Sequence, residues 1–307
     1  MTRTWGLLAA VAVLAVACGD DSASGGGGSG AQGGSGGAAA GGSPASGGEG
    51  MGGSLSSGGG GGGVGGGSAG CGTPEVAGTT AETLDVGGVS RDYILVIPDG
   101  LDGVTPVPLI FGFHGFNGTG EVASQYFGLT GTEAALYVYP QALPLPGQGG
   151  GVGWDMEADG VDVAFIDALV AALEAEHCVD ASRVFAAGHS HGASFSNHLG
   201  CYRPETFRAI APVAGGGPWA GPCTGSVSAM VSHGSADADV PIDNGIFSRD
   251  HWLEANGCAG APSSSADPAP CVSYAACAEP VLWCEHAGGH EWPDFAGAGI
   301  RGFFLGL

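Results

Sequence analysis

The chain has 307 residues, of which 64 are glycine, 30 are acidic and 7 are basic, and every basic residue is arginine. A formal net charge of −23 leaves no basic surface to release counterions from phosphate or to settle on anionic lipid, which excludes nucleic acid and a basic membrane-binding face. Residues 19–70 hold 27 of the glycines, so the folded part is confined to 71–307, a length that buries one α/β-sized core.

Residues 1–18 read as an export signal. Arg3 precedes a continuous apolar run, Gly6–Ala17. The run is too short to span a bilayer and has the length of a signal-peptide core. Its end, Leu14-Ala15-Val16-Ala17-Cys18, resembles a bacterial lipobox with the leucine one place further from the cysteine than usual. Cys18 is therefore the candidate for lipid attachment, and a lipid there would be the only link to a membrane. Cleavage nearby with release is the alternative; either route exports the protein to the cell surface or the medium. Residues 19–70 show no hydrophobic periodicity and read as a disordered Gly/Ser-rich tether.

Strands are predicted over 91–98 (RDYILVIP), 108–113 (PLIFGF) and 135–139 (ALYVY), each rich in branched or aromatic residues. Over 160–177, apolar residues at 161, 163, 164, 166, 169, 170, 172 and 173 make the stripe of an amphipathic helix, with Asp162 near its positive end. A short strand over 183–187 leads into a helix over about 190–201. Strands follow at 209–213 and 229–232, a helix at 245–256, a strand at 281–285 and a last helix at 297–307. Strands that alternate with helices and are continuously apolar predict an α/β fold, with a mostly parallel sheet covered on both faces. Function in such sheets lies beyond the carboxyl ends of the strands. The loops 113–120, 188–191, 233–243 and 286–293 leave those ends.

Eight cysteines follow Cys18: Cys71, Cys178, Cys201, Cys223, Cys258, Cys271, Cys277 and Cys284. An even number in an exported chain predicts disulfides, with the connectivity left open. Cys277, Cys284, His286 and His290 lack the paired close spacing of a zinc site, so no metal is expected.

Gly188-His189-Ser190-His191-Gly192 is a G-x-S-x-G sequence between a predicted strand and a predicted helix. A strained turn there would present Ser190 as a nucleophile above a helix N-terminus, where amide N–H groups can hold an oxyanion. One oxyanion donor would be the N–H of His191. The other would come from His114-Gly115-Phe116, and Phe116 is chosen. An acid and then a histidine should follow in the chain. Asp237 is the first choice, over Asp239 and Asp243. His290, in Gly288-Gly289-His290, is preferred to His286 as general base. His177, His198 and His251 are expected at the surface or at caps. Phe116, Trp154 and Trp292 are candidate flat surfaces for substrate.

Several stretches together carry a family resemblance: PLIFGFHG (108–115), VGWDMEADGVDVAFIDAL (152–169), CVDASRVFAAGHSHGASFSNHLGC (178–201), FRAIAPVAG (207–215), SHGSADADVPIDNG (232–245) and WCEHAGGHEWP (283–293). Residues 71–307 resemble the secreted feruloyl esterase and polyhydroxybutyrate depolymerase group of α/β-hydrolases. The resemblance implies an α/β-hydrolase catalytic domain, a Ser190–His290–Asp237 triad, bridged cysteines and no cofactor. Ala193, where a glycine is common, and Phe116-Asn117 depart from the pattern at the substrate edge. The expected activity is serine-dependent hydrolysis of a carboxylic ester, of feruloyl or acetyl type on plant cell-wall xylan. Polyester depolymerisation is the alternative, and a noncatalytic surface-anchored binding module on the same fold is the further one. The expected partner is a small-molecule or oligosaccharide ester.

Overall fold

The computed structural model describes residues 67–219 and 221–307; the export signal, Cys18 and the tether up to residue 66 lie outside the described residues. The strands are β1 (Gly78–Val86), β2 (Val89–Ile97), β3 (Val107–Phe113), β4 (Leu136–Pro140), β5 (Leu143–Pro144), β6 (Val152–Gly153), β7 (Val179–His189), β8 (Phe207–Val213), β9 (Ser228–Gly234), β10 (Pro262–Ser265), β11 (Val272–Tyr274) and β12 (Val281–His286). The helices are α1 (Gly120–Tyr126), α2 (Val161–Glu176), α3 (His191–Tyr202), α4 (Ile242–Ala255) and α5 (Ala296–Leu305).

Ten strands form one sheet in the order β1-β2-β4-β3-β7-β8-β9-β12-β11-β10. The central run from β4 to β12 is parallel throughout. Antiparallel strands flank it at both edges. β3, β8 and β9 are buried almost end to end, as strands covered on both faces must be. Alternate residues feed two cores. Leu109, Phe111, Phe113, Val184 and Ala186 pack with Phe165 of α2, Phe195 of α3 and Trp252 of α4. Ile110, Phe185 and Ala187 pack with Ala123 of α1 and with Ile300 and Phe304 of α5. The loops that leave the carboxyl edge of the parallel strands are thereby held on a rigid base.

Asp162 does more than face a helix dipole. It is buried and pairs with buried Arg91 of β2, whose guanidinium lies 4.0 Å from the centre of the Phe165 ring. A buried pair of this kind is costly to break from one side.

The eight cysteines form Cys71–Cys178, Cys201–Cys223, Cys258–Cys277 and Cys271–Cys284. The first closes 107 residues and ties the start of the fold to β7, worth roughly 4–5 kcal/mol in the chain-entropy account.

Three expectations change. Residues 67–70, assigned to the tether, belong to the fold: the N–H of Ser68 donates to Val179 O at 3.0 Å and that of Gly70 to Glu174 O at 3.0 Å. Backbone pairing needs no side chains, so composition could not reveal it. β1, β5, β6, β10, β11 and α1 were not predicted. β1 is exposed or half-buried along its whole length and β10 is exposed, so neither shows the apolar run that marks a strand. His198 is buried and its Nε2 lies 3.0 Å from Glu157 O, rather than at the surface.

Candidate active site

The elbow is built by crowding. Ser190 has φ +56° and ψ −117°, a region that residues with a Cβ seldom occupy. Its N–H donates to Val213 O at 2.9 Å, which locks the turn to β8. A methyl group at Gly188 would lie 2.2 Å from Gly192 O, and one at Gly192 would lie 2.1 Å from Phe113 O. Glycine is required at both places because backbone fills the space.

The turn places Ser190 Oγ 2.9 Å from His290 Nε2, and His290 Nδ1 lies 2.8 Å from Asp237 Oδ2. The Asp237 side chain is fully buried. Its Oδ1 accepts the N–H groups of Asp239 at 2.9 Å and Val240 at 2.8 Å. Burial pushes the Asp237 pKa up, but the His290 hydrogen bond and these N–H groups outweigh it and hold the carboxyl below its usual range. An ionised Asp237 makes His290 Nδ1 the donor and leaves the Nε2 lone pair toward the Ser190 hydroxyl. Sequence reading missed His233, which is buried, with Nε2 2.9 Å from Val240 O and 3.4 Å from Asp237 Oδ2. Asp239 and Asp243 are exposed. His286 Nδ1 accepts the Gly288 N–H at 3.2 Å, apart from the Ser190 chain.

The loop after β3 is pinned from several directions. Asn117 exchanges two hydrogen bonds with the Val152 backbone, at 2.8 and 3.0 Å. His114 Nδ1 donates to Gly115 O at 2.8 Å, and its Nε2 accepts the Ala142 N–H at 3.1 Å. That arrangement requires a neutral ring, and burial lowers the His114 pKa accordingly. A methyl group at Gly115 would lie 3.2 Å from Ser190 Cβ, so the loop runs beside the serine. Among the described residues, the N–H groups of Phe116 and His191 have no protein acceptor.

The aromatic candidates divide. Phe116 is 44% exposed and packs edge-on against His191. Trp154 is 1% exposed and presents no face to a substrate. Its Nε1 donates to His114 O at 2.8 Å and its backbone N–H to His191 Nδ1 at 3.1 Å, so it braces the loop from below. Trp292 is 7% exposed and stacks flat on Phe127 at 4.0 Å, where it seats the His290 loop against the C-cap of α1. Large aromatics near a site are as useful for packing as for recognition, and sequence does not separate the two roles.

Histidines dominate the surroundings. The His189 ring lies 4.9 Å from that of His290, and burial pushes its pKa down to about 4. Burial also lowers the pKa of His114, His191, His198, His251 and His286. For each, the unfolded chain binds the proton more readily. Their stabilisation is therefore complete above about pH 6.5 and is lost as pH falls toward the folded values. His189 alone should contribute about 3 kcal/mol of this loss. Asp162 and Glu174, raised by burial, act in the opposite sense but are fewer. The unfolding midpoint is expected to be clearly lower at pH 4.5 than at pH 7 in thermal scans. An unchanged or higher midpoint in acid would contradict the neutral assignment.

No family model matches the chain. It is 32% identical to a probable feruloyl esterase C of Aspergillus terreus over 239 residues, covering 73% of this chain and 83% of the relative. It is 32% identical to feruloyl esterase C of Emericella nidulans over 216 residues, covering 66% and 76%. Among solved structures, an acetyl xylan esterase from Aspergillus awamori matches with a TM-score of 0.56 at 16% identity, over 75% of this chain and 100% of that one. A ferulic acid esterase from Anaeromyces mucronatus matches with a TM-score of 0.51 at 17% identity, over 75% and 89%. The structural matches establish an α/β-hydrolase fold. The sequence similarity to the feruloyl esterases, and not the fold, decides the class: the chain belongs to the feruloyl esterase family and is a carboxylic ester hydrolase.

Proposed function

We propose that the protein cleaves feruloyl or acetyl esters on plant cell-wall polysaccharide such as xylan, through an acyl-serine intermediate. The observation that carries the mechanism is the continuous chain from Asp237 through His290 to Ser190, with contacts of 2.8 and 2.9 Å. His290 Nε2 takes the proton as Ser190 Oγ attacks the ester carbonyl. The oxyanion is held by the N–H groups of His191 and Phe116, in a loop fixed before substrate arrives. The imidazolium, stabilised by Asp237, then protonates the leaving alcohol. Water repeats the sequence in reverse and frees the acid. Every bond made or broken is accounted for by these groups and water.

The feruloyl and acetyl xylan names of the relatives and structural neighbours support this substrate class. The test compares kcat/KM of the purified protein on methyl ferulate, acetylated xylan and a soluble 3-hydroxybutyrate oligomer. Methyl ferulate or acetylated xylan is expected to lead. A clear lead for the hydroxybutyrate oligomer would reassign the enzyme to polyester hydrolysis.

We also infer that residues 1–18 direct export, that Cys18 carries a lipid and that a tether up to residue 66 holds the catalytic domain away from the membrane. Four disulfides support an oxidising destination. Intact-mass analysis of membrane-extracted protein is expected to show a lipidated N-terminal cysteine. The eight later cysteines should resist alkylation until reduced. A chain found only in the medium with another N-terminus would refute attachment, and several free thiols would refute the oxidising compartment.

A further inference from the structure

β8 lies between β7, which carries Ser190, and β9, which leads to Asp237. Its carboxyl-end loop therefore emerges between the nucleophile and the acid. That loop opens with Ala214-Gly215-Gly216-Gly217-Pro218-Trp219. A methyl group at Gly215 would lie 2.6 Å from Ser190 O, and one at Gly216 would lie 2.4 Å from Trp219 Cζ2. Trp219 thus stands two short steps of backbone from the serine. It is 54% exposed, and its ring stacks on Phe247 of α4, itself 46% exposed, at 4.9 Å and 15°.

Exposed aromatics usually move, but the backbone that leads into Trp219 is anchored. Buried Asn197 of α3 donates to Gly216 O at 3.1 Å, and buried Ser248 of α4 donates to Gly217 O at 2.7 Å. Asn197 Nδ2 also reaches Ser248 Oγ at 3.0 Å, and Trp252 Nε1 donates to Asn197 Oδ1 at 2.8 Å. A buried network that grips two consecutive loop carbonyls fixes the stretch that leads into Trp219. Surface held this rigidly costs little further entropy when a ligand lies on it.

On the other side of Ser190 is a cavity of about 210 Å³ lined by Gly115, Phe116, Val122, Tyr126, Phe127 and His189. Its α1 wall belongs to the core on the α5 face of the sheet, whereas the Trp219 loop is gripped from α3 and α4. The two features flank the serine. The cavity is concave and suits one small ring. Trp219 is more than half exposed, so it offers an aromatic face rather than an enclosed pocket.

We propose that Trp219, backed by Phe247, is the shelf for the sugar residue that bears the ester, a reading that rests on the carbohydrate-ester function above. The C–H groups on the face of a pentose or hexose ring carry partial positive charge and meet the negative face of the indole. A neutral sugar also suits a chain of net charge −23.

The test compares wild type with Trp219→Ala on a feruloylated arabino-oligosaccharide and on methyl ferulate. The ratio of kcat/KM for the oligosaccharide to that for methyl ferulate is expected to fall about tenfold, mainly through KM. Trp219→Phe should recover much of it, and the unfolding midpoint verifies that both variants fold. An unchanged ratio, or an equal loss on both esters, overturns the shelf. Calorimetric titration with the unesterified oligosaccharide decides the point independently: binding lost in Trp219→Ala supports the shelf, and binding unchanged or absent in wild type overturns it. A wild-type protein that cleaves neither ester would instead remove the feruloyl half of the substrate reading, and the titration would still judge Trp219.

Discussion

Ser190→Ala is expected to lower kcat on methyl ferulate by roughly 10⁶-fold while leaving the unfolding midpoint close to that of the parent. Alanine keeps the Cβ, so the elbow retains the cost of φ +56°. What disappears is Oγ and its contact with His290 at 2.9 Å. The residual rate would come from binding and the oxyanion donors, with water as nucleophile. A serine-directed phosphonate should label Ser190 alone in the parent and nothing in the variant. Ser190→Gly provides a contrast: equally inactive, it should be more stable by about 1 kcal/mol, because glycine tolerates positive φ. Activity retained in a folded Ser190→Ala protein would discard the mechanism.

Asp237→Asn is expected to cost about 10⁴-fold in kcat, and its geometry shows why. The Asp239 and Val240 N–H groups both point at Oδ1 and require an acceptor there. The amide oxygen of asparagine must take that place, which turns its NH₂ toward His290 Nδ1. The ring then becomes an acceptor at Nδ1 and carries its proton on Nε2, where it can no longer receive the serine proton. Asp239 lends the site only its main-chain N–H, so Asp239→Asn should stay within about tenfold of the parent. His286→Ala, outside the hydrogen-bonded chain, should do the same. Steady-state kinetics on the three purified variants distinguishes the outcomes. An inactive Asp239→Asn beside an active Asp237→Asn would show that the contacts seen here are not the working ones.

The parallel strands were legible because burial on both faces leaves continuous apolar runs such as PLIFGF and FRAIAPV. Edge strands carry no such mark: β10 is Pro-Ser-Ser-Ser and lies exposed, held by backbone pairing that any sequence can supply. The elbow was legible for a steric reason, since two glycines flanking a serine between strand and helix answer a specific crowding. The supports were not. His114, Trp154 and His233 act through hydrogen bonds to partners 28, 40 and 7 residues away, and no local pattern announces such pairings. Trp154 and Trp292 were expected to face substrate for the same reason: an aromatic side chain reads identically whether it braces a loop or binds a ligand. Asn197 and Ser248 stand on helices as ordinary polar residues until the fold brings the Gly216 and Gly217 carbonyls to them.

The crowding that creates the elbow extends around the serine. An added methyl at Gly188, Gly192, Gly215 or Gly234 would meet a main-chain oxygen at 2.2, 2.1, 2.6 or 2.3 Å respectively. None of these oxygens belongs to a side chain that could swing aside. The inner ring of the site is thus closed to variation, whatever substrate is selected for. Freedom to change lies one layer out, at Phe116, Tyr126, Trp219 and Phe247, whose exposed side chains can be exchanged without moving backbone. A library aimed at new esters should leave the glycines untouched and diversify those four positions. Natural divergence among descendants of this chain would be confined to the same rim, with chemistry inherited intact while preference drifts.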